Sequence, residues 1–248
     1  MALERILKGA ARRALSAGIA LGAYGRRPGI VGGLLGLGVR QLNDDAGPEA
    51  PRILTLPKGG FIEDVGAAFG DGNFTVLGLA RYHTKALYGG FLPQWVDDNS
   101  YKSALPEMDA GKAALRRFWT QAWPRVQART RASVVLTGNF AYAAEQEFGA
   151  VVEASGVPFI AMHKEALKTP GLVNFYTTLY RDRRQAFQGR KILVYNTIER
   201  GIQVDAGIIP LDRVEVCGMP RLDRLHQWRI RAAQSPPPSG RPLVLFLS

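Results

Sequence analysis

Short apolar runs alternate with longer amphipathic segments along most of this chain. The runs are rich in Val, Ile, Leu and Phe and are bounded by turn-forming residues, a pattern typical of buried β-strands. Six of them predict strands: residues 52–57, 74–80, 133–138, 157–163, 191–196 and 214–218. Helical patterns lie between them, several with a glycine near the end. This alternation predicts an α/β fold in which a Rossmann-like parallel sheet is covered by helices on both faces.

Two segments of this central region have patterns of their own. Residues 81–100 are rich in glycine and aromatic side chains, so we expect an irregular functional or covering loop. Residues 106–130 have a long helical pattern. We expect that helix to break near Pro124, because a proline inside a helix removes a backbone hydrogen bond.

The first fifty residues predict a basic amphipathic leader. Residues 3–21 place apolar side chains at helical spacing on one side and basic side chains largely on the other. Such a helix can lie in a membrane interface. The alternatives are a helix packed on its own domain and a targeting signal, although Arg12 and Arg13 interrupt the apolar run that a secretory signal needs. Residues 29–39 are apolar but too short and too glycine-rich to span a bilayer.

Composition shifts divide the chain into four parts. The leader (1–50) precedes a Rossmann-like domain (51–232), which is followed by a proline-rich linker (233–241) and one apolar strand (242–248). A single strand cannot form a domain. We therefore expect residues 242–248 to be the first strand of a truncated C-terminal domain.

The charge distribution favours a lipid surface over nucleic acid as a partner. The net charge is +11, and residues 1–40 contain seven basic side chains but one acid. A basic segment poor in aromatics suits anionic lipid, whereas nucleic-acid proteins more often spread their basic residues over a folded face with interleaved aromatics. Cys217 is the single cysteine, which excludes an intrachain disulfide and a cysteine-based zinc site.

Polar residues follow several of the predicted strands, where ligands bind in open parallel sheets. His163 can accept a proton near neutral pH, Glu165 can orient it or replace it as the base, and Lys164 can meet an anionic substrate. The alternative is that His163 only caps its strand and the two charges are solvated. His83, in the segment 81–100, is a second candidate at the same edge.

Two turns complete the predicted site. Gly138 and Asn139 follow a strand and open a helix, so their backbone N–H groups can hold an anion or a hydroxyl. Gly218 permits an unusual backbone turn after the last strand of the domain. Arg221 either pairs with Asp223 or points into the ligand cleft at this edge of the sheet and contacts substrate.

The motifs of several enzyme classes are missing. The chain has no P-loop and no H-E-x-x-H, C-x-x-C or G-x-S-x-G sequence. The glycines of GGLLGLG have no strand before them, as a dinucleotide fingerprint requires. Protease, redox and hydrolase functions therefore have no motif to support them.

Several short motifs in a fixed order resemble one family. TGNF, a strand that ends in HKE, a YN…AGI segment and the run V-x-V-x-G-x-P-R-x-D resemble bacterial surface-carbohydrate and capsule biosynthesis glycosyltransferases of the two-Rossmann GT-B fold. The G-x-P-R-x-D element is also similar to that of CDP-glycerol glycerophosphotransferases and, more loosely, of UDP-N-acetylglucosamine 2-epimerases. The resemblance covers about residues 130–248.

The resemblance implies the acceptor-binding half of a transferase at the cytoplasmic face of the cell membrane. Its partners would be a nucleotide-activated donor and a lipid-linked or saccharide acceptor, with no further cofactor. His163 with Glu165 would be the base, and Lys164 and the Gly138–Asn139 turn would line the same cleft. A nucleotide-sugar epimerase and a non-catalytic domain recruited to membranes are the alternatives.

Overall fold

All six predicted strands, and a seventh that the pattern does not predict, form one sheet in the structure. The structure is a computed structural model and describes residues 2–43, 47–98, 100–101, 105–164 and 167–234. The strands are β1 (Val39–Gln41), β2 (Arg52–Thr55), β3 (Thr75–Leu79), β4 (Val134–Thr137), β5 (Phe159–Met162), β6 (Lys191–Val194) and β7 (Val214–Val216). The helices are α1 (Ala2–Tyr24), α2 (Pro28–Leu37), α3 (Phe61–Phe69), α4 (Arg81–Tyr88), α5 (Pro106–Thr130), α6 (Ala143–Ala154), α7 (Val173–Asp182), α8 (Thr197–Asp205) and α9 (Asp223–Ala233).

The sheet has the strand order β1-β3-β2-β4-β5-β6-β7. The six strands from β3 to β7 in this order pair in parallel, which confirms the Rossmann-like prediction for them. The edge strand β1 pairs with β3 in antiparallel orientation, so the sheet is mixed rather than wholly parallel. Sequence pattern does not show β1 because Arg40 and Gln41 interrupt any apolar run.

Helices cover both faces of the sheet, as predicted. On one face, α3 packs Phe61 and Val65 against Ile53, Val76 and Leu136 of the strands. The other face carries the larger core, in which aromatic side chains of α5 and α6 pack together. Its largest fully buried members are Trp119, Trp123 and Phe148.

The described part of the first fifty residues packs on this larger core. Ile19 and Ala23 of α1 and Val31 and Leu35 of α2 are fully buried in it. The structure thus agrees with the packed-helix alternative for the leader. Among the described residues, no helix combines the length and the apolarity that crossing a bilayer requires.

Two local predictions are wrong. Residues 81–88 form α4 instead of an irregular loop, because the buried side chains of His83, Thr84 and Leu87 give it an inward face. Helix α5 continues through Pro124, whose neighbours Trp119, Ala122, Trp123 and Val126 are all buried. Most of the linker (233–241) and all of the last strand (242–248) lie outside the described residues.

Substitutions at two neighbouring glycines of α2 can test how closely α2 packs on α5. A Cβ on Gly32 would lie 2.4 Å from the carbonyl oxygen of Ala122, whereas one on Gly33 would meet no atom within 4 Å. We expect Gly32→Ala to lower the free energy of unfolding by about 1–3 kcal/mol, because the overpacked helices must separate.

The matched control is Gly33→Ala, which should raise the free energy of unfolding by about 0.5–1 kcal/mol because alanine is the better helix former. Urea unfolding measures both variants. Equal effects of the two substitutions would contradict the close contact between α2 and α5.

Candidate functional site

The carboxyl ends of the six parallel strands share one edge of the sheet. The chain moves outward from β2 to β3, then crosses to β4 and continues in the opposite direction to β7. Ligands of open α/β sheets bind at such a reversal, here between the ends of β2 and β4. Gly138 lies directly after β4 at this point, and a Cβ on it would come 2.8 Å from Cγ of Phe61. Its missing side chain therefore lets α3 begin against the end of β4.

His163 follows β5 at this edge and pairs with a glutamate that sequence reasoning did not identify. Its Nδ1 lies 3.0 Å from Oε1 of Glu199, in the first turn of α8. Glu199 is itself held in place. Its backbone N–H donates to Oδ1 of Asn196, which caps α8, and its Oε1 accepts from Nε2 of Gln203 at 2.7 Å.

The environment of Glu199 determines which nitrogen of His163 is available. Burial opposes ionisation of Glu199, but the hydrogen bond and the charge of His163, the hydrogen bond from Gln203 and the charge of Lys168 hold its pKa below the ordinary value. An ionised carboxylate accepts a hydrogen bond, which assigns the proton of neutral His163 to Nδ1. Among the described residues, Nε2 of His163 has no hydrogen-bond partner.

A pocket of about 310 Å³ opens beside this histidine. Phe140 and Tyr180 line the pocket and also contact the His163 ring edge-on, with centroids 5.3 and 6.5 Å away. Lys168 and Arg183 place two cationic side chains in the lining. The remaining lining residues are Asp98, Asn139, Ala141, Tyr142, Tyr176 and Leu179.

Helix α6 begins later than the turn of Gly138 and Asn139, and the anion site predicted at that turn stays a prediction. Helix α6 begins at Ala143, and Oδ1 of Asp98 accepts the backbone N–H of Ala143 at 2.9 Å. A carboxylate of the chain itself therefore lies at the N-terminus of α6. Oδ1 of Asn139 accepts the backbone N–H of Ala141, and Asn139 keeps its place in the pocket lining.

Arg221 forms a bidentate ion pair with a buried acid, and that acid is not Asp223. Its Nε and Nη2 donate to the two carboxylate oxygens of Asp64 on α3, at 2.9 and 2.6 Å. Nη2 also donates to the hydroxyl of Tyr195 and to the carbonyl of Lys164. These contacts attach the turn after β7 to α3.

The structure places the other predicted residues as follows. Gly218 has φ of +74°, so it provides the unusual turn that was expected of it. The backbone N–H of Lys164 donates to the carbonyl of Gly138 and joins the ends of β4 and β5. Glu165 lies outside the described residues. The role of Lys164, Gly218 and Arg221 in substrate binding stays a prediction.

Comparisons with protein-family models, with curated proteins and with solved structures find no significant match to this chain. Within the described ranges, no three His, Cys, Asp or Glu side chains come close enough to hold a metal ion.

A second buried glutamate lies next to the pocket. Glu145 of α6 accepts hydrogen bonds from Nε of Arg81, at 2.7 Å, and from the hydroxyl of Thr137 at the end of β4. Arg81 also pairs with Asp98 of the pocket lining. Burial raises the pKa of Glu145 to about 7, although Arg81 and Thr137 favour its ionised form.

This raised pKa predicts a pH-dependent stability. The folded state holds the proton of Glu145 more tightly than the unfolded state. The contribution of this proton to the free energy of unfolding is therefore complete below pH 4.5 and is lost as the pH rises through about 7. We expect the loss to be on the order of 3 kcal/mol of unfolding free energy. Glu145→Gln should remove this part of the slope. Urea unfolding at a series of pH values measures it, and identical slopes in the two proteins would contradict the burial of an ionisable Glu145.

Proposed function

We propose that this chain is the acceptor-binding half of a transferase that moves a sugar or glycerophosphate unit from a nucleotide-activated donor during cell-surface polysaccharide synthesis. The observation that carries the proposal is the pairing of His163 with Glu199 at the carboxyl edge of the sheet. A histidine with one nitrogen held by a carboxylate and the other unpartnered has the form of a general base.

In this reaction His163 accepts the proton of an acceptor hydroxyl at Nε2. The freed oxygen forms a bond to the donor's anomeric carbon, or to phosphorus when glycerophosphate is transferred. The bond to the nucleotide phosphate breaks at the same centre, and the nucleotide leaves with its electron pair. Glu199 keeps the proton of Nδ1 in place and stabilises the imidazolium that forms.

The pocket beside His163 supports an anionic, carbohydrate-like ligand. Lys168 and Arg183 can contact phosphate groups of the acceptor or the donor. Tyr142, Tyr176 and Tyr180 offer aromatic faces and hydroxyl groups in the same lining. Because His163 is only 2% exposed, the proposal requires the pocket to open toward Nε2 when the acceptor binds.

The same low exposure favours one alternative function. A histidine that stays buried between Phe140, Tyr180 and Glu199 would be structural, and the chain would then be a non-catalytic binding domain. Ligands would still enter the pocket, and replacing His163 would then change only their binding.

The proposal is tested with the full-length gene product. The donors are a panel of nucleotide-activated sugars and CDP-glycerol, and the acceptors are saccharides and lipid-linked saccharides. The measured quantity is the rate at which nucleotide is released. We expect His163→Gln to lower kcat/KM by about 100- to 10 000-fold, because the base is lost. Glu199→Gln should produce a smaller loss, since it leaves the imidazole but weakens its orientation.

His226→Gln is the matched control, because the same substitution then falls on an exposed helix. Wild-type rates in His163→Gln would contradict the base assignment. A changed sugar without acceptor would favour an epimerase. Ligand binding without turnover in the wild type would favour the binding domain.

A further inference from the structure

A second pocket lies at the same edge of the sheet, on the side of β1. It has a volume of about 350 Å³ and lies where α1, β1 and α4 meet the ends of β2 and β3. Among the residues that the structure describes, its ionisable lining residues are Arg12, Arg40, Tyr82 and His83, with no carboxylate. The remaining lining residues are Ala11, Leu15, Leu37, Gly38, Leu42, Pro57, Gly78 and Ala80.

The two arginines of this pocket come from different elements. Arg12 is on α1, where its Nε donates to the hydroxyl of Tyr82 at 2.7 Å and its guanidinium lies over the Tyr82 ring. Arg40 belongs to β1 and is exposed. The part of the chain that the structure describes gives neither guanidinium an ion pair. These two charges meet at one pocket because α1 packs beside the edge of the sheet that β1 forms.

The positive charges of Arg12 and Arg40 act on His83, which lines the same pocket. Its ring is buried at the pocket, with Nδ1 3.2 Å from the hydroxyl oxygen of Ser16. Burial, followed by the charges of Arg12 and Arg40, lowers the pKa of His83. Both arginines are therefore close enough to disfavour a further positive charge here, and an anion would relieve that repulsion.

Large apolar side chains are exposed around the same pocket. Leu37 is 62% exposed, Leu42 43% and Tyr82 37%, and all three line it. Exposed apolar patches next to basic side chains are typical of surfaces that enter a membrane interface.

We propose that this pocket binds the phosphate group of a membrane amphiphile, with Arg12 and Arg40 on the phosphate and Leu37, Leu42 and Tyr82 in the interface around it. The guanidinium groups supply the forked donors that phosphate oxygens accept. The apolar rim distinguishes a lipid phosphate from a free one, because inorganic phosphate would leave these side chains in water. This site is separate from His163 and does not depend on the transfer reaction.

Vesicle co-sedimentation tests the proposal directly. The full chain is mixed with phosphatidylcholine vesicles that either contain or lack phosphatidic acid. We expect binding to the phosphatidic acid vesicles and a fall of roughly thirty-fold in the partition coefficient of the double variant Arg12→Gln/Arg40→Gln, since each basic residue at an anionic surface strengthens binding about fivefold.

The matched control is Arg117→Gln/Arg229→Gln, which removes the same charge from exposed positions on α5 and α9. It should change the partition coefficient less than about twofold, because interactions between exposed charges are screened over distances beyond about 10 Å. Equal losses in the two double variants would show that only net charge matters and would overturn the site.

A third variant separates lipid from free phosphate. Leu37→Gln should weaken vesicle binding without changing the affinity for inorganic phosphate, measured by calorimetry. If the protein binds inorganic phosphate but does not bind the vesicles, the lipid assignment is overturned. Vesicle binding that survives Arg12→Gln/Arg40→Gln would also contradict the proposal.

Discussion

Parallel pairing of six strands is the constraint on which the rest of this structure depends. It places every loop that follows one of these strands on a single edge of the sheet, so that residues far apart in the chain meet there. Arg221 and Asp64, which are 157 positions apart, form their ion pair because β2 and β7 both end at this edge. The turn of Gly138, the pocket beside His163 and the cationic pocket of Arg12 and Arg40 all follow from the same arrangement.

The edge contains two polar clusters that differ in how fully their hydrogen bonds are satisfied. Asp64, Tyr195 and Arg221 form a cluster that fastens the last turn of the domain to α3 and leaves the Arg221 guanidinium engaged. His163 is different, since Glu199 holds one of its nitrogens and no described residue holds the other. A buried polar atom without a partner is costly, and a catalytic role is one explanation for such an atom. This contrast is the reason that the proposed chemistry is centred on His163, whereas the contacts of Arg221 in the structure are all with the chain itself.

Sequence reasoning recovered the six parallel strands because apolar β-branched runs are a local signal. It missed β1, whose polar Arg40 and Gln41 are ordered by pairing with β3 much further along the chain. It located His163 at the edge and predicted Glu165, which lies outside the described residues, as its acidic partner. It did not identify Glu199, which the structure brings to His163 from the next β–α unit. The spacing Asn196-x-x-Glu199 resembles a helix capping box and was the available signal for that glutamate. Asp64 gave no such signal, since its partner lies on a distant element.

The central claim is that Glu199 holds the Nδ1 proton of His163 and leaves Nε2 able to accept one. Nitrogen-15 NMR of protein labelled at its three histidines measures this directly, with His163→Gln to assign the signal. At a pH where the imidazole is neutral, we expect the Nδ1 of His163 to be protonated and its Nε2 to have the shift of an unprotonated ring nitrogen. A proton on Nε2 instead would contradict the account, because the ring could then not act as the proposed base.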